Sequence, residues 1–144
     1  MEKTEFEEYL KSRYEDQINW YDKKAADNQR IYKQLQWLAI IFSAITPVLV
    51  AFDSKPKWLI WITVAISAIV AIATTVIKTF KYQENWINYR TTCETLRKEK
   101  HFYTAKINEY DSAEDKEALF VDRVEALISR ENTMWLTAQK QTKK

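Results

Sequence analysis

Two long runs without a single charge interrupt an otherwise polar chain. The first is LQWLAIIFSAITPVLVAF, Leu35 to Phe52; the second is WLIWITVAISAIVAIATTVI, Trp58 to Ile77. Only DSKPK, residues 53–57, separates them. A helix needs about 20 apolar residues to cross a hydrocarbon core of about 30 Å, and both runs are of that length. A helix in the core of a small soluble domain would keep a charged face at helical spacing. Neither run has one. Their polar members are Gln36, Ser43 and Thr46 in the first and Thr63, Ser67, Thr74 and Thr75 in the second. A hydroxyl can bond back to its own helix, so these residues are tolerated in lipid. Trp58, Trp61 and Trp37 stand near the ends of the runs, where amphipathic rings anchor at an interface. The pattern predicts a membrane hairpin: transmembrane helices at 35–52 and 58–77, joined by an extracytoplasmic turn at 53–57 that Pro56 closes as the second helix begins.

The flanks continue the helical period. Upstream, Phe6, Leu10, Gln17, Trp20 with Tyr21, Ala25, Asn28, Tyr32 and Leu35 recur at three- and four-residue steps. Downstream, Tyr82, Trp86, Tyr89, Cys93, Leu96, Tyr103, Ile107 and Tyr110 do the same, with Lys100 interrupting. Each stripe continues its span without a breaker, predicting long cytoplasmic helices over 1–34 and 78–110 that pack as a stalk. Folding about the turn pairs positions whose numbers add to roughly 110 to 112. This register sets Asp22 near Arg90, Ala25 near Trp86 and Phe6 near Tyr103. YDSAEDKE breaks the period, and Ser112 with Glu114 or Asp115 reads as a new helix start. A third helix over 114–138, with Phe120, Val124, Leu127, Ile128 and Trp135 on one face, is expected to fold back onto the stalk. KQTKK at the end is expected to fray. The fold class predicted is an all-α membrane protein organised as a single domain, 1–144.

Composition supports an all-helical chain. Among 144 residues there is no Gly and there are two Pro; tight β-turns with positive φ draw on Gly. Charge places the ends. Lys23, Lys24, Arg30 and Lys33 precede the first run, Lys78, Lys81, Arg90 and Arg97 follow the second, and the turn holds only Lys55 and Lys57. The basic excess predicts both termini in the cytoplasm. The net charge of +2 is too small to argue for nucleic acid as a partner. MEKTEFEEYLKSRYEDQ has no apolar h-region, so no secretory signal is expected there. One cysteine, Cys93, excludes an intrachain disulfide and a cysteine-cluster metal site.

INWYDKKAADNQRIYKQLQ before the first run, Pro47 within it, and KYQENWINYRTTCETLRKEKHFY after the second, with VEALISRE further on, carry a resemblance. Over about residues 14–138 the chain resembles a bacterial family of two-transmembrane proteins of unassigned function. That family is related to the SLATT domains found beside nucleotide-second-messenger defence genes. The resemblance implies two membrane helices with cytoplasmic ends in the bacterial inner membrane. From the SLATT relatives it implies a pore-forming effector triggered by a partner sensor or second-messenger system. No sensor domain is recognised in these residues, so the trigger is expected from another chain.

Candidate chemistry is sparse. Thr63, Ser67, Ala71 and Thr75 are four apart on one slowly drifting face, with Lys78 beyond them. Such a face lines the pore of a ring of chains or forms a close helix–helix seam, since small residues let backbones approach. Pro47 removes a backbone bond to Ser43 and predicts a kink, as shape alone or as a gating hinge. Glu84 and Arg90 in QENWINYR could hold a ligand, but cross-helix pairing, with Asp22 opposite Arg90 and with Trp86 and Tyr89 filling the seam, is the plainer reading. Cys93 reads as a small buried hydrophobe. His101 has no second ligand in sequence, so no metal and no cofactor is expected. Aromatic residues near basic ones suggest RNA only weakly against the interleaved acids. No nucleophile–base pair, phosphate loop or paired-carboxylate arrangement appears, so no enzyme is expected. The bilayer and further copies of the same chain are the expected partners. The function predicted is a homo-oligomeric channel or pore-forming effector; the rival is a non-conducting scaffold whose stalk docks a cytoplasmic protein.

Overall fold

In a computed structural model that describes residues 3–51 and 56–142, with no account of the side chains of Lys3 and 131–142, every element is helical. We label these α1 (Lys3–Tyr9), a π-helical stretch (Leu10–Tyr14), α2 (Glu15–Ala51), α3 (Lys57–Thr79), α4 (Tyr82–Ala105), the short α5 (Glu109–Ser112) and α6 (Lys116–Thr142). The expected turn falls largely outside the described residues, which resume at Pro56. Pro56 adopts an extended conformation as the cap, and its carbonyl accepts the Leu59 amide at 2.9 Å. The helix therefore starts one residue after the proline. Two of the helical runs are long and apolar enough to cross a membrane, by length and composition.

The continuous second helix expected from Lys57 to Tyr110 is broken in two places. α3 stops at Thr79, and Lys81 takes a left-handed φ of 50° before α4 begins. α4 stops at Ala105, where Lys106 (φ 55°) and Asn108 (φ 59°) reverse the chain. A left-handed conformation costs a residue with a Cβ about 1–2 kcal/mol, which is why helical periodicity gives no warning of it. With no Gly in the chain, lysine and asparagine carry these turns. The first break is well bonded: the Phe80 amide donates to the Val76 carbonyl at 3.0 Å, and Asn85 Nδ2 donates to the Phe80 carbonyl at 3.1 Å. α2, by contrast, runs through Pro47 as one helix.

The chain packs as two compact units. One comprises Met1–Lys24 with Asn88–Lys144, the other Ala25–Ile87.

The terminal unit has an aromatic core. Tyr14, Tyr21, Cys93, Leu96, Tyr110, Phe120 and Val124 are fully buried, joined by Phe6 and Ile128. Phe6 meets Tyr103 at 5.2 Å and Phe120 edge-on at 5.7 Å, and Tyr14 meets Phe120 at 5.3 Å. The expected Phe6–Tyr103 and Asp22–Arg90 neighbours are thus present, the latter at 3.1 Å. The third helix packs into this unit through Phe120, Val124 and Ile128. It starts at Lys116, and its cap is Asp115 rather than Ser112: Asp115 Oδ1 accepts the Ala118 amide at 2.9 Å, which holds that carboxyl below its ordinary range. Trp135 and the KQTKK tail lie outside the residues with described side chains.

The central unit covers very little of its own apolar surface. Only 6% of the residues in each apolar window are buried. Ala25, Ala39 and Ala73 are buried, while Trp37 and Trp61 stay 63% and 74% exposed. Tyr32 stacks on Trp86 at 6.4 Å across the two arms of this unit.

These environments predict opposite mutational responses. Phe120→Ala is expected to lower stability by about 3–5 kcal/mol, the usual cost of emptying a buried phenylalanine site. Trp61→Ala is expected to change it by about 0.5 kcal/mol or less. Reversible unfolding in mild detergent, followed by helical circular dichroism, compares the two directly.

Candidate functional site

The hydroxyl stripe lies on α3, whose β-branched and small residues form a regular helix with no charge between Trp58 and Ile77. Thr63 is half-buried, whereas Ser67, Ala71 and Thr75 are exposed. The covered positions instead follow Leu59, Thr63, Ile66, Val70, the buried Ala73, Val76 and Ile77. The stripe therefore leaves the protein-covered face after its first member and continues on an open one. Each hydroxyl donates to its own helix: Thr63 to the Leu59 carbonyl at 2.9 Å, Ser67 to Thr63 at 2.9 Å and Thr75 to Ala71 at 2.7 Å. Thr74 does the same toward Val70 at 2.9 Å. The donors are satisfied internally, and Ser67 and Thr75 keep acceptor capacity on an exposed face. In α2, Ser43 and Pro47 are exposed and the neighbouring Thr46 donates to the Phe42 carbonyl at 2.8 Å.

The expected stalk residues fall into two groups. Arg90 bonds Asp22 at 3.1 Å and Glu94 at 2.7 Å, and Arg97 reaches the other Asp22 oxygen at 3.6 Å. Tyr89 packs edge-on to Trp20 at 5.6 Å. These make a bonded surface network in the terminal unit. Glu84 departs from the expectation of a cross-helix pair: its partner is Lys81, 3.8 Å away and three residues back. Cys93 is buried with Sγ 3.8 Å from the Ile18 carbonyl, and burial pushes its thiol up. A shallow groove of about 530 Å³ runs past Tyr14, Glu15, Arg97, Lys100 and His101. Its lysine is engaged, 3.8 Å from Glu15 and over the Tyr14 ring at 5.3 Å.

Sequence reasoning missed the polar clasps that fix α6. Glu99 is buried, and its Oε1 accepts from the Tyr110 hydroxyl at 2.5 Å and from Arg123 Nε at 2.5 Å. Arg123 also donates to Glu109 at 2.6 Å. Burial, then the bond to Glu99, raises the Tyr110 phenol well above its ordinary value. On the other edge of α6, Glu125 accepts from Arg13 Nε and Nη2, each at 3.0 Å, and from the Tyr9 hydroxyl at 3.0 Å. The Arg13 bond holds the Glu125 carboxyl below its ordinary value of 4.5. The π-helical stretch, with its wider turn, stands between Tyr9 and Tyr14 and presents Arg13 on this edge. Tyr14 itself donates to the Leu96 carbonyl at 2.9 Å, and burial raises its phenol to about 12. The available signal was Glu99, three residues after Leu96 and four before Tyr103, on a seam where a carboxylate needs a buried partner. Among the described residues no buried side-chain nitrogen or oxygen lacks a hydrogen-bond partner.

Their ranking is testable. Glu99→Ala, which removes a buried acceptor from two donors, is expected to cost about 3 kcal/mol. Glu125→Gln, on a half-exposed pair, is expected to cost about 1 kcal/mol. The lowered Glu125 pKa means its contribution is complete above pH 4.5 and lost as pH falls through the folded value. Unfolding titrations between pH 7 and pH 3 should therefore show a shallower acid loss for the glutamine variant.

Comparison with curated proteins and with solved structures returns no match. A family model described as a protein of unknown function (DUF4231) matches residues 16–118, more than half of the chain, and the chain belongs to that family.

Proposed function

We propose that the chain is an integral protein of the bacterial inner membrane. Both termini are cytoplasmic, and several copies assemble into a channel or pore-forming effector. The observation that carries this reading is the open face of α3. Ser67, Ala71 and Thr75 are small, outward and flanked by exposed apolar side chains. Two apolar helices from one chain cannot enclose a water path, so conduction needs a ring. In such a ring the acceptor oxygens of Ser67 and Thr75 would meet water or a cation, while the remaining faces meet lipid. The absence of charge between Trp58 and Ile77 argues against a proton relay or voltage sensor and for a passive path. The resemblance to SLATT domains supports the effector reading, with the trigger supplied by a cytoplasmic sensor.

The rival reading is a non-conducting scaffold, favoured by the well-packed terminal unit with its bonded Asp22–Arg90–Glu94–Arg97 surface. That surface would dock a cytoplasmic protein without any flux.

Reconstitution into liposomes separates the two. The channel reading expects ion or small-dye release by the assembled protein, reduced to the level of protein-free vesicles by Ser67→Trp or Ala71→Trp. The scaffold reading expects no release, with the same substitutions changing only the oligomeric state. A chain that stays monomeric and silent, with or without the candidate trigger, ends the channel reading.

A further inference from the structure

The break between α3 and α4 sits where the apolar run ends, and its surroundings are chemically one-sided. Lys78 and Lys81 are exposed on either side of Phe80, whose ring is 58% exposed. On α2, Arg30 and Lys33 are exposed, followed by the exposed indole of Trp37. The Tyr32–Trp86 stack brings these two sets to one level. Side chains of a helix lean toward its N-terminus, so rings that touch between antiparallel helices belong to backbones offset by about a turn. The backbone of Tyr32 then falls at about the height of the break, which puts Arg30 and Lys33 at about the height of Lys81 and Lys78.

Four cations thus gather around the end of an apolar helix pair, with two exposed aromatic rings among them. The one ion pair recorded for them among the described residues is Lys81 with Glu84, at 3.8 Å and with both groups still open to solvent. From Asn28 to Phe52 and from Pro56 to Gln83 the sequence holds no acid at all. A cluster of this composition, with rings suited to the carbonyl level of a bilayer, is complementary to phosphate on a lipid and unsuited to a neutral headgroup. The left-handed Lys81 has a structural consequence here. At the break Asn85 Nδ2 donates to the Phe80 carbonyl, and Phe80 stands exposed beside it.

We infer that Arg30, Lys33, Lys78 and Lys81, with Trp37 and Phe80, form a collar that binds the headgroups of anionic phospholipids. The collar rests on the membrane reading above, because it works only if the apolar segments are in lipid. It adds a preference that membrane insertion alone does not require.

The test uses the full chain purified in a neutral detergent and titrated with phosphatidylglycerol or phosphatidylcholine, with retained lipid counted by native mass spectrometry. Phosphatidylglycerol should be retained in clear preference. The fourfold variant Arg30→Gln, Lys33→Gln, Lys78→Gln, Lys81→Gln should lose about tenfold or more in apparent affinity for it. A charge-conserving variant, Lys33→Arg, Lys78→Arg, Lys81→Arg, should keep the preference, and so should the control Lys11→Gln, Lys106→Gln. Inorganic phosphate at matching concentration should not displace the lipid. Equal retention of the two lipids by the wild type overturns the collar, as does a glutamine variant that keeps its preference or displacement by free phosphate. Carbonate extraction of cell membranes is run beside it. A wild-type chain that washes off has failed the membrane reading itself, whereas one that resists extraction but shows no lipid preference has failed only the collar.

Discussion

The controlling constraint is the mismatch between how apolar the central helices are and how little protein covers them. A helix pair cannot hide two charge-free faces of this length inside itself, and 6% burial of each window shows that it does not. At about 25 cal/mol per Å² of apolar surface left in water, side chains such as Trp37, Val48, Trp58, Trp61 and Ile72 represent a large penalty unless something apolar surrounds them. The same constraint governs the polar atoms in these segments. Thr46, Thr63, Ser67, Thr74 and Thr75 all turn their hydroxyl protons onto carbonyls of their own helix, a local solution that needs no water as acceptor.

The terminal unit obeys a different rule. There an aromatic core is closed by side chains, and charge is admitted to the interior only with full bonding. Glu99 is the clearest case: one carboxylate oxygen serves both a phenol and a guanidinium, and the arginine's remaining reach is taken by Glu109. Removal of Glu99 strands the buried Tyr110 hydroxyl and removal of Arg123 strands Glu109, so the group acts as a specific lock for α6 more than as a source of net stability. The lock on the opposite edge, Arg13 and Tyr9 with Glu125, is more exposed and correspondingly weaker. Apolar contacts of Phe120, Val124 and Ile128 would hold α6 in several rotational settings; two charged clasps on its two edges select one.

Much of this was legible in residue order. Charge-free runs of span length, helical stripes in the flanks and the antiparallel register all follow from side-chain period, and Phe6–Tyr103 and Asp22–Arg90 stand where the register sets them. What period could not carry was local backbone conformation and three-body bonding. Lys81 and Lys106 are ordinary helix formers, and nothing in their identity marks a positive φ. Leu10–Tyr14 keeps an apolar stripe that reads as α-helix, because one wider turn shifts spacing by less than the stripe's tolerance. The hydroxyl stripe of α3 was visible, but not that its face is open beyond Thr63. That depends on which side of the helix Ala73 buries.

The second reversal shows why a costly backbone state is kept. Had α4 continued as an unbroken helix, Tyr110 would stand eleven residues from Glu99, about 16 Å along the axis and out of reach. With Lys106 and Asn108 both at positive φ, the chain turns back within a few residues, and the Ile107 amide still finds the Phe102 carbonyl at 3.3 Å. Tyr110 then enters the core fully buried, with its hydroxyl 2.5 Å from Glu99, and Glu109 beside it takes the free side of Arg123. Two unfavourable φ values, about 1–2 kcal/mol each, are offset by a buried aromatic ring worth about 1.5–3 kcal/mol and by the bonds that make a buried carboxylate tolerable. The strain and the lock are therefore one device: without the turn, Glu99 would be a buried charge lacking its phenol, and Arg123 of α6 would lose Glu109.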